Sequence, residues 1–221
     1  MTNTHYFPRR SYLDLLRTDT WRIDSGIIRA ITWIEDGSPT TLGFWGAGEI
    51  VGNALLGSNN YQLECLTPVT AAPLLAANCE NVGTLSHIQR LQELLIIRSC
   101  KRIEDRLLKL LIWLGRRFGS NEDTGIIFDI FLTHQDLADA LSTTRVTITR
   151  SLKDLERQGT ILHLSNRRLF IVRGASPVEN QSAYSSSDPA FQKPVNNLAT
   201  LVLPVGVATP LWNRPLSVSY R

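Results

Sequence analysis

Residues Thr133 to Val172 constrain this chain more than any other stretch. They read as a capped short helix, a tight turn, a second helix with cations along one side, and a basic hairpin. Thr133-His134-Gln135-Asp136 fits a capping box with Asp where Glu or Gln is usual: the Thr133 hydroxyl can accept from a backbone N–H, and the Asp136 carboxylate can accept from the N–H of Thr133. A helix therefore begins here, with Leu137, Ala138 and Leu141 as its apolar face. Ser142, Thr143 and Thr144 supply short hydroxyl residues for a turn and the next cap, and the second helix is predicted from Arg145 to Gln158, ended by Gly159.

Within the second helix, Ile148, Leu152 and Leu155 fall at i, i+4 and i+7, a stripe for packing on the first. Arg145, Val146, Thr149, Arg150 and Lys153 share the outward face, with Arg157 one turn further on. After Gly159, Ile161 to Leu164 and Leu169 to Val172 are β-prone runs separated by Ser165-Asn166-Arg167-Arg168, a hairpin with a cationic tip. Helix pairs of this kind also occur in all-α domains that never meet nucleic acid, and charge decides between the two readings. Residues 142–173 hold seven Lys or Arg against two acids, a net +5, while the whole chain carries +3. Positive charge is thus concentrated where phosphate would be met.

On these residues a resemblance becomes clear. Leu132 to Val172 resembles the C-terminal DNA-binding domain of the cAMP-receptor and fumarate-nitrate regulator (Crp/Fnr) superfamily, and Ser142 to Arg150 is especially similar to the recognition helix of its cyanobacterial nitrogen-control branch. Upstream, Ser25-Gly26-Ile27-Ile28-Arg29 is similar to a strand motif of the effector domain, and Gly46-Ala47-Gly48-Glu49-Ile50-Val51-Gly52 to its glycine-rich turn. The resemblance covers roughly residues 20 to 173. It implies an α+β chain: an N-terminal double-stranded β-helix (a cyclic-nucleotide-binding-like jelly roll), a long dimerisation helix and a C-terminal winged helix-turn-helix. It also implies a homodimer on double-stranded DNA with RNA polymerase as a further partner.

The residues divide accordingly into an effector domain over 1–83, a dimerisation helix and hinge over 84–117, the winged helix over 118–173, and a tail over 174–221. The N-terminal part is strand-like, with Asp36-Gly37 turning Ile31–Ile34 back onto Thr40–Trp45. Thr84 to Leu114 contains neither Gly nor Pro and is predicted helical throughout, about 30 residues spanning ~45 Å at the α-helical rise. Leu85, Ile88, Leu91, Leu95, Ile103, Leu107, Leu110 and Leu114 recur at helical spacing, and Leu94, Ile96 and Ile97 add a second apolar face. A helix apolar on two faces needs two partners: its own barrel and, as the resemblance implies, the same helix of a second subunit. The polar run Arg98 to Arg102, followed by Glu104-Asp105, marks a hinge. Six of the ten prolines and a serine cluster fall in 174–221, which reads as disorder.

A cyclic-nucleotide site needs a cation for the cyclic phosphate, and the family supplies it after the glycine turn. Between Arg29 and Arg90 this chain has no Lys or Arg, while Glu35, Asp36, Glu49, Glu64 and Glu80 occupy the span. Burying a phosphate without opposite charge costs several kcal/mol, so cAMP and cGMP are not expected as effectors and no cofactor is predicted. The same gap weakens 2-oxoglutarate, the effector of the nitrogen-control branch, although Lys101 and Arg102 remain as anion partners. With only about 20 residues before Trp21, a shortened barrel that dimerises without ligand stays open beside gating by an unidentified small molecule or protein partner.

For DNA, the base contacts are assigned to Arg145, Val146, Thr149 and Arg150, and the phosphate contacts to Thr143, Thr144, Lys153, Arg167 and Arg168. The cAMP-receptor branch carries Glu where Val146 stands; valine cannot accept from cytosine N4, and its methyls suit the thymine C5-methyl. Other classes find little support. Cys65, Cys79 and Cys100 are odd in number and form no CxxC, which argues against a disulfide framework, zinc or an iron–sulfur cluster. His5, His87, His134 and His163 are scattered without a nucleophile, so no enzyme is read. No run approaches the ~18 apolar residues of a membrane span and residues 1–20 lack a signal-type apolar core, so a cytoplasmic location is expected.

Overall fold

Short β-prone runs broken by Gly, Pro and Asp-Gly give the N-terminal part its strands: β1 (His5–Phe7), β2 (Thr20–Ser25), β3 (Ile28–Trp33), β4 (Pro39–Trp45), β5 (Ile50–Gly52), β6 (Tyr61–Cys65) and β7 (Val69–Pro73). The structure, a computed structural model, describes residues 4–15, 20–56, 60–74, 82–129, 131–165 and 168–174. Arg167 of the expected basic tip and the expected tail beyond Gly174 lie outside the described residues.

The strands pair antiparallel in two sheets, ordered β1-β7-β2-β5 and β4-β3-β6. Asp36-Gly37 turns β3 into β4 as the sequence predicts: Gly37 takes φ +79°, Ile34 N–H donates to the Ser38 carbonyl, and Ser38 N–H donates to Asp36 Oδ1. At Gly26, between β2 and β3, a Cβ would lie 2.3 Å from the Pro68 carbonyl oxygen, so only glycine fits. Trp21 and Ile23 from one sheet meet Ile28, Ala30, Trp45 and Leu63 from the other in one apolar core. Each such large side chain contributes ~1.5–3 kcal/mol by leaving water.

The unbroken helix expected over Thr84 to Leu114 is in fact two helices, α2 (Val82–Ser99) and α3 (Ile103–Phe118), preceded by the short α1 (Asn53–Leu56). The break falls at Cys100–Arg102, within the polar run read as a hinge, and charges that suit two helix ends flank it. Arg98 stands in the last turn of α2 and Glu104 and Asp105 in the first turn of α3, each sign suiting the dipole of the terminus where it stands. Arg102 is extended (φ −88°, ψ 140°), and Arg106 Nε donates to the freed carbonyl of Cys100 at 2.6 Å. Helical periodicity alone carried no sign of this.

α3 turns Leu107, Leu108, Leu110, Leu111 and Leu114 into the C-terminal core. There it joins α4 (His134–Leu141), α5 (Arg145–Arg157) and a sheet ordered β10-β11-β9-β8, formed by β8 (Ser120–Glu122), β9 (Gly125–Asp129), β10 (Ile161–Leu164) and β11 (Arg168–Val172). Leu137 and Leu141 of α4 share this core with Ile148, Leu152 and Leu155 of α5.

α4 is also held by the β-roll. Near its start, Asp136 accepts from Arg10 at 2.6 and 3.2 Å and pairs with Arg29 of β3 at 2.8 Å. Glu64 of β6 binds both cations, Arg29 at 2.6 Å and Arg10 at 2.9 Å, and Asp139 lies 3.5 Å from Arg29. Near the end of α4, Arg98 donates to the Ala140 carbonyl at 2.9 Å and to the Thr41 carbonyl of β4 at 2.6 Å.

Candidate nucleic-acid interface

The capping box read from the sequence is complete. Asp136 N–H donates to the Thr133 hydroxyl at 3.1 Å, and Thr133 N–H donates to Asp136 Oδ2 at 2.7 Å. After α4 the chain reverses at Ser142, left-handed at φ 52°, and Thr143 N–H donates back to the Ala138 carbonyl at 3.0 Å. Thr144 then caps α5 through its hydroxyl, which accepts from Thr147 N–H at 3.2 Å. Gly159, at φ +69°, ends α5 as predicted. Gly159 N–H donates to the Glu156 carbonyl and Thr160 N–H to the Leu155 carbonyl, the paired bonds of a Schellman stop.

With both ends fixed, α5 has two unlike sides. Ile148, Ser151, Leu152 and Leu155 are buried; Arg145, Val146, Arg150 and Lys153 are exposed, Val146 by 59%. Among the described residues, the side chains of Arg145, Arg150, Lys153 and Arg168 make no hydrogen bond or ion pair, whereas Arg157 is tied to Asp154. The unpaired cations of α5 are therefore those assigned to DNA from sequence. Those of α5 share one face of the helix, and Arg168 opens β11, the second strand of the wing.

Thr149, assigned to DNA from the sequence, has its hydroxyl engaged within the protein. Its hydroxyl donates to the Arg145 carbonyl at 2.9 Å and lies 2.9 Å from His134 Nδ1, which must then carry the proton and donate. With its proton so engaged, the hydroxyl has no hydrogen left to donate and only a second lone pair left to accept. His134, passed over in the sequence as a mere member of the capping box, thus fixes a recognition-helix side chain. Burial pushes the His134 pKa down, and Arg145 and then His163 lower it further, so the ring is neutral near pH 7.

Among the described residues, no free cation faces Glu49 in the glycine turn between β4 and β5. Glu49 accepts from Gly46 N–H at 2.8 Å, from Arg117 of α3 at 2.8 Å and from Arg90 of α2 at 2.8 Å. Arg117 also donates to the Phe44 carbonyl at 3.0 Å and lies 4.5 Å from the Trp113 ring centroid. His87 of α2 stacks on Trp45, ring centroids 5.7 Å apart. Lys101 and Arg102, the remaining anion candidates, are exposed at the break between α2 and α3.

Comparison with known proteins agrees with this geometry. The family model for the Crp-like helix-turn-helix domain matches residues 105–175, so α3 falls with the DNA-binding domain that it packs against. The chain is 39% identical over 158 residues to the regulatory protein CysR of Synechococcus elongatus, an alignment covering 68% of this chain and 75% of that one. It is 33% identical over 89 residues to the global nitrogen regulator of Synechocystis, covering 40% of this chain and 39% of the relative. Two solved structures share the fold: a CRP-family transcriptional regulator from Thermus thermophilus (TM-score 0.64, 21% identity, 76% of this chain and 91% of that one) and FixK2 from Bradyrhizobium japonicum (TM-score 0.66, 15% identity, 84% and 100%).

Proposed function

The chain belongs to the Crp/Fnr superfamily of DNA-binding transcription regulators, not enzymes, and from that premise we propose that it acts as a homodimer on inverted-repeat sites without a cyclic nucleotide. The observation that carries this reading is the free cationic face of α5, Arg145, Val146, Arg150 and Lys153, held outward by caps at both ends. Arg145 donates to guanine O6 and N7, Arg150 to guanine or phosphate, and Val146 and the Thr149 methyl meet thymine methyls. Thr143, Thr144, Lys153, Arg167 and Arg168 meet phosphates, which position the protein without specifying sequence.

The dimer reading is supported by α2. Its Leu94 and Ile97 are buried, while Ile88, Leu95 and Ile96 on the other side are exposed, Leu95 by 65%. Pairing two α2 helices through that side would place the recognition helices in successive major grooves ~34 Å apart. The reading without a cyclic nucleotide is supported by Glu49, an acid already committed to Arg90 and Arg117. RNA polymerase is the further partner this reading carries. Among the described residues no helix is long and apolar enough to cross a membrane.

Selection of sites from random duplexes, followed by gel shifts at graded salt, tests the function. Arg145→Ala should relax one base position at a cost of ~1–3 kcal/mol, while Lys153→Ala should weaken all sequences alike and lower the salt slope by about one. No sequence preference by the wild-type chain would refute the reading. Gating by a small molecule or protein partner at the N-terminal domain is the competing account, and a thermal-shift screen of metabolites separates the two.

A further inference from the structure

We propose that Arg29 and Arg98 are positioning residues for DNA recognition: they clamp α4 at its two ends to the N-terminal domain and so fix the direction in which α5 is presented, with no effector needed. The proposal rests on the DNA-binding reading above. It goes beyond it in assigning the orientation of the reading helix to residues far from DNA.

α5 has no independent position, since Ile148, Leu152 and Leu155 pack in one core with Leu137 and Leu141 of α4. Whatever holds α4 therefore aims α5. At the start of α4, Arg29 and Arg10 grip Asp136, and Glu64 holds both guanidinium groups from the other side. Arg29, Glu64, Asp136 and Asp139 are all buried, Arg29 being only 5% exposed. The network therefore differs from a surface ion pair, which solvent would screen to little effect. A guanidinium is planar and donates in fixed directions, so its bonds specify an orientation as well as an attraction.

At the far end, the Ala140 carbonyl is one of the terminal carbonyls that a helix cannot satisfy internally. Arg98 takes it at 2.9 Å while also binding the Thr41 carbonyl of β4 at 2.6 Å. Arg98 is the last-turn cation of α2, the helix read as the dimer contact, so one side chain joins dimer helix, roll and DNA-reading module. The clamp leaves the reading face open, because Arg145, Val146, Arg150 and Lys153 remain exposed. It presents the module to DNA and does not hide it.

Two measurements test the clamp on the full chain. In the first, spin labels at Tyr6→Cys and Arg157→Cys, with Cys79→Ser and Cys100→Ser, report the distance between roll and α5. With the doubly labelled chain diluted into an excess of unlabelled chain, so that only the distance within one chain is read, wild-type side chains at 29 and 98 should give one narrow distance distribution, and Arg29→Met or Arg98→Ala a broad one. In the second, binding is measured to one selected half-site and to paired half-sites with varied spacers. The wild type should lose at least about ten-fold when the best spacer is lengthened by about two base pairs, whereas each variant should keep its half-site affinity and vary less than about three-fold across spacers.

A broad distribution in the wild type would overturn the proposal even if both variants fail to fold. So would folded variants that keep the narrow distance and the spacer preference. Equal binding of single and paired half-sites by the wild type removes the homodimer reading alone, and the spin-label distance then still decides the clamp.

Discussion

Arg10 and Asp136 stand 126 residues apart in the chain and 2.6 Å apart in the fold. The same Asp136 carboxylate closes the capping box of α4, so one side chain ends a local motif and anchors a long-range contact. Arg10 itself is left-handed at φ 68°, a conformation that costs an L-residue ~1–2 kcal/mol. Two carboxylates on its guanidinium offset that strain. Burial pushes the Asp136 pKa up, but Arg10, the Thr133 N–H and Arg29 together outweigh it and hold the group below the ordinary carboxylate value.

Asp136→Asn separates the two roles. The amide oxygen can still accept from Thr133 N–H, but Arg29 and Arg10 lose a charge in a buried setting. The expected loss of stability is ~3 kcal/mol, as for removing one partner of a buried pair. Thr133→Ala, which removes only a cap, should cost ~1 kcal/mol. Urea unfolding of both variants checks this; a loss in Asp136→Asn no larger than that in Thr133→Ala would mean that the ion pairs of Asp136 add little to stability.

Which parts of this were readable in advance follows from how far each interaction reaches. Thr133 and Asp136 are three residues apart, so their capping box was visible in sequence, as were the Gly159 stop and the burial of Ile148, Leu152 and Leu155. The partners of Asp136 were not, because Arg10 and Arg29 reach it only through tertiary packing; Arg29 looked like part of a strand motif and nothing more. The break after α2 was half visible. The change from Arg98, Lys101 and Arg102 to Glu104 and Asp105 suggested a hinge, but a stretch free of Gly and Pro gave no reason to end the helix. Thr149 lay on the expected face, yet only the side-chain geometry shows its hydroxyl spent on His134 and the Arg145 carbonyl.

Val146→Glu should change the selected site at one position. Valine presents methyl groups and no acceptor, and at 59% exposure it is free to meet a base edge. The wild type should therefore prefer A·T there, and the glutamate variant C·G, each by ~1–3 kcal/mol. Site selection from random duplexes reads this directly, and an unchanged preference would remove Val146 from the set of base contacts.

If two chains pair through α2 as proposed, Leu95→Glu should give a folded monomer. Leu95 is exposed in the single chain, so a carboxylate there meets water; across a pairing of two α2 helices it would be buried without a partner. Sedimentation at micromolar concentration should move from dimer to monomer, and affinity for a two-half-site duplex should fall at least ~10-fold, since each chain then binds without the linked second half-site. A dimer that survives the substitution would place the contact elsewhere.

Acidification should weaken the fold through His87 and His134, and the sign follows from their environments. Burial lowers the pKa of His87 from the ordinary value of 6.5, Arg90 lowers it further, and Glu49 opposes. Burial lowers that of His134 likewise, with Arg145 and His163 in the same direction. As pH falls through 6.5, the unfolded chain therefore takes up protons that the folded chain still refuses, and mass action favours unfolding. Stability should be highest above that value and decline from it toward pH 5. Urea midpoints at pH 7.5, 6.5 and 5.5 should fall in the wild type and fall less in His87→Gln/His134→Gln, whose neutral side chains take no proton in this range; parallel declines would assign the effect to other groups.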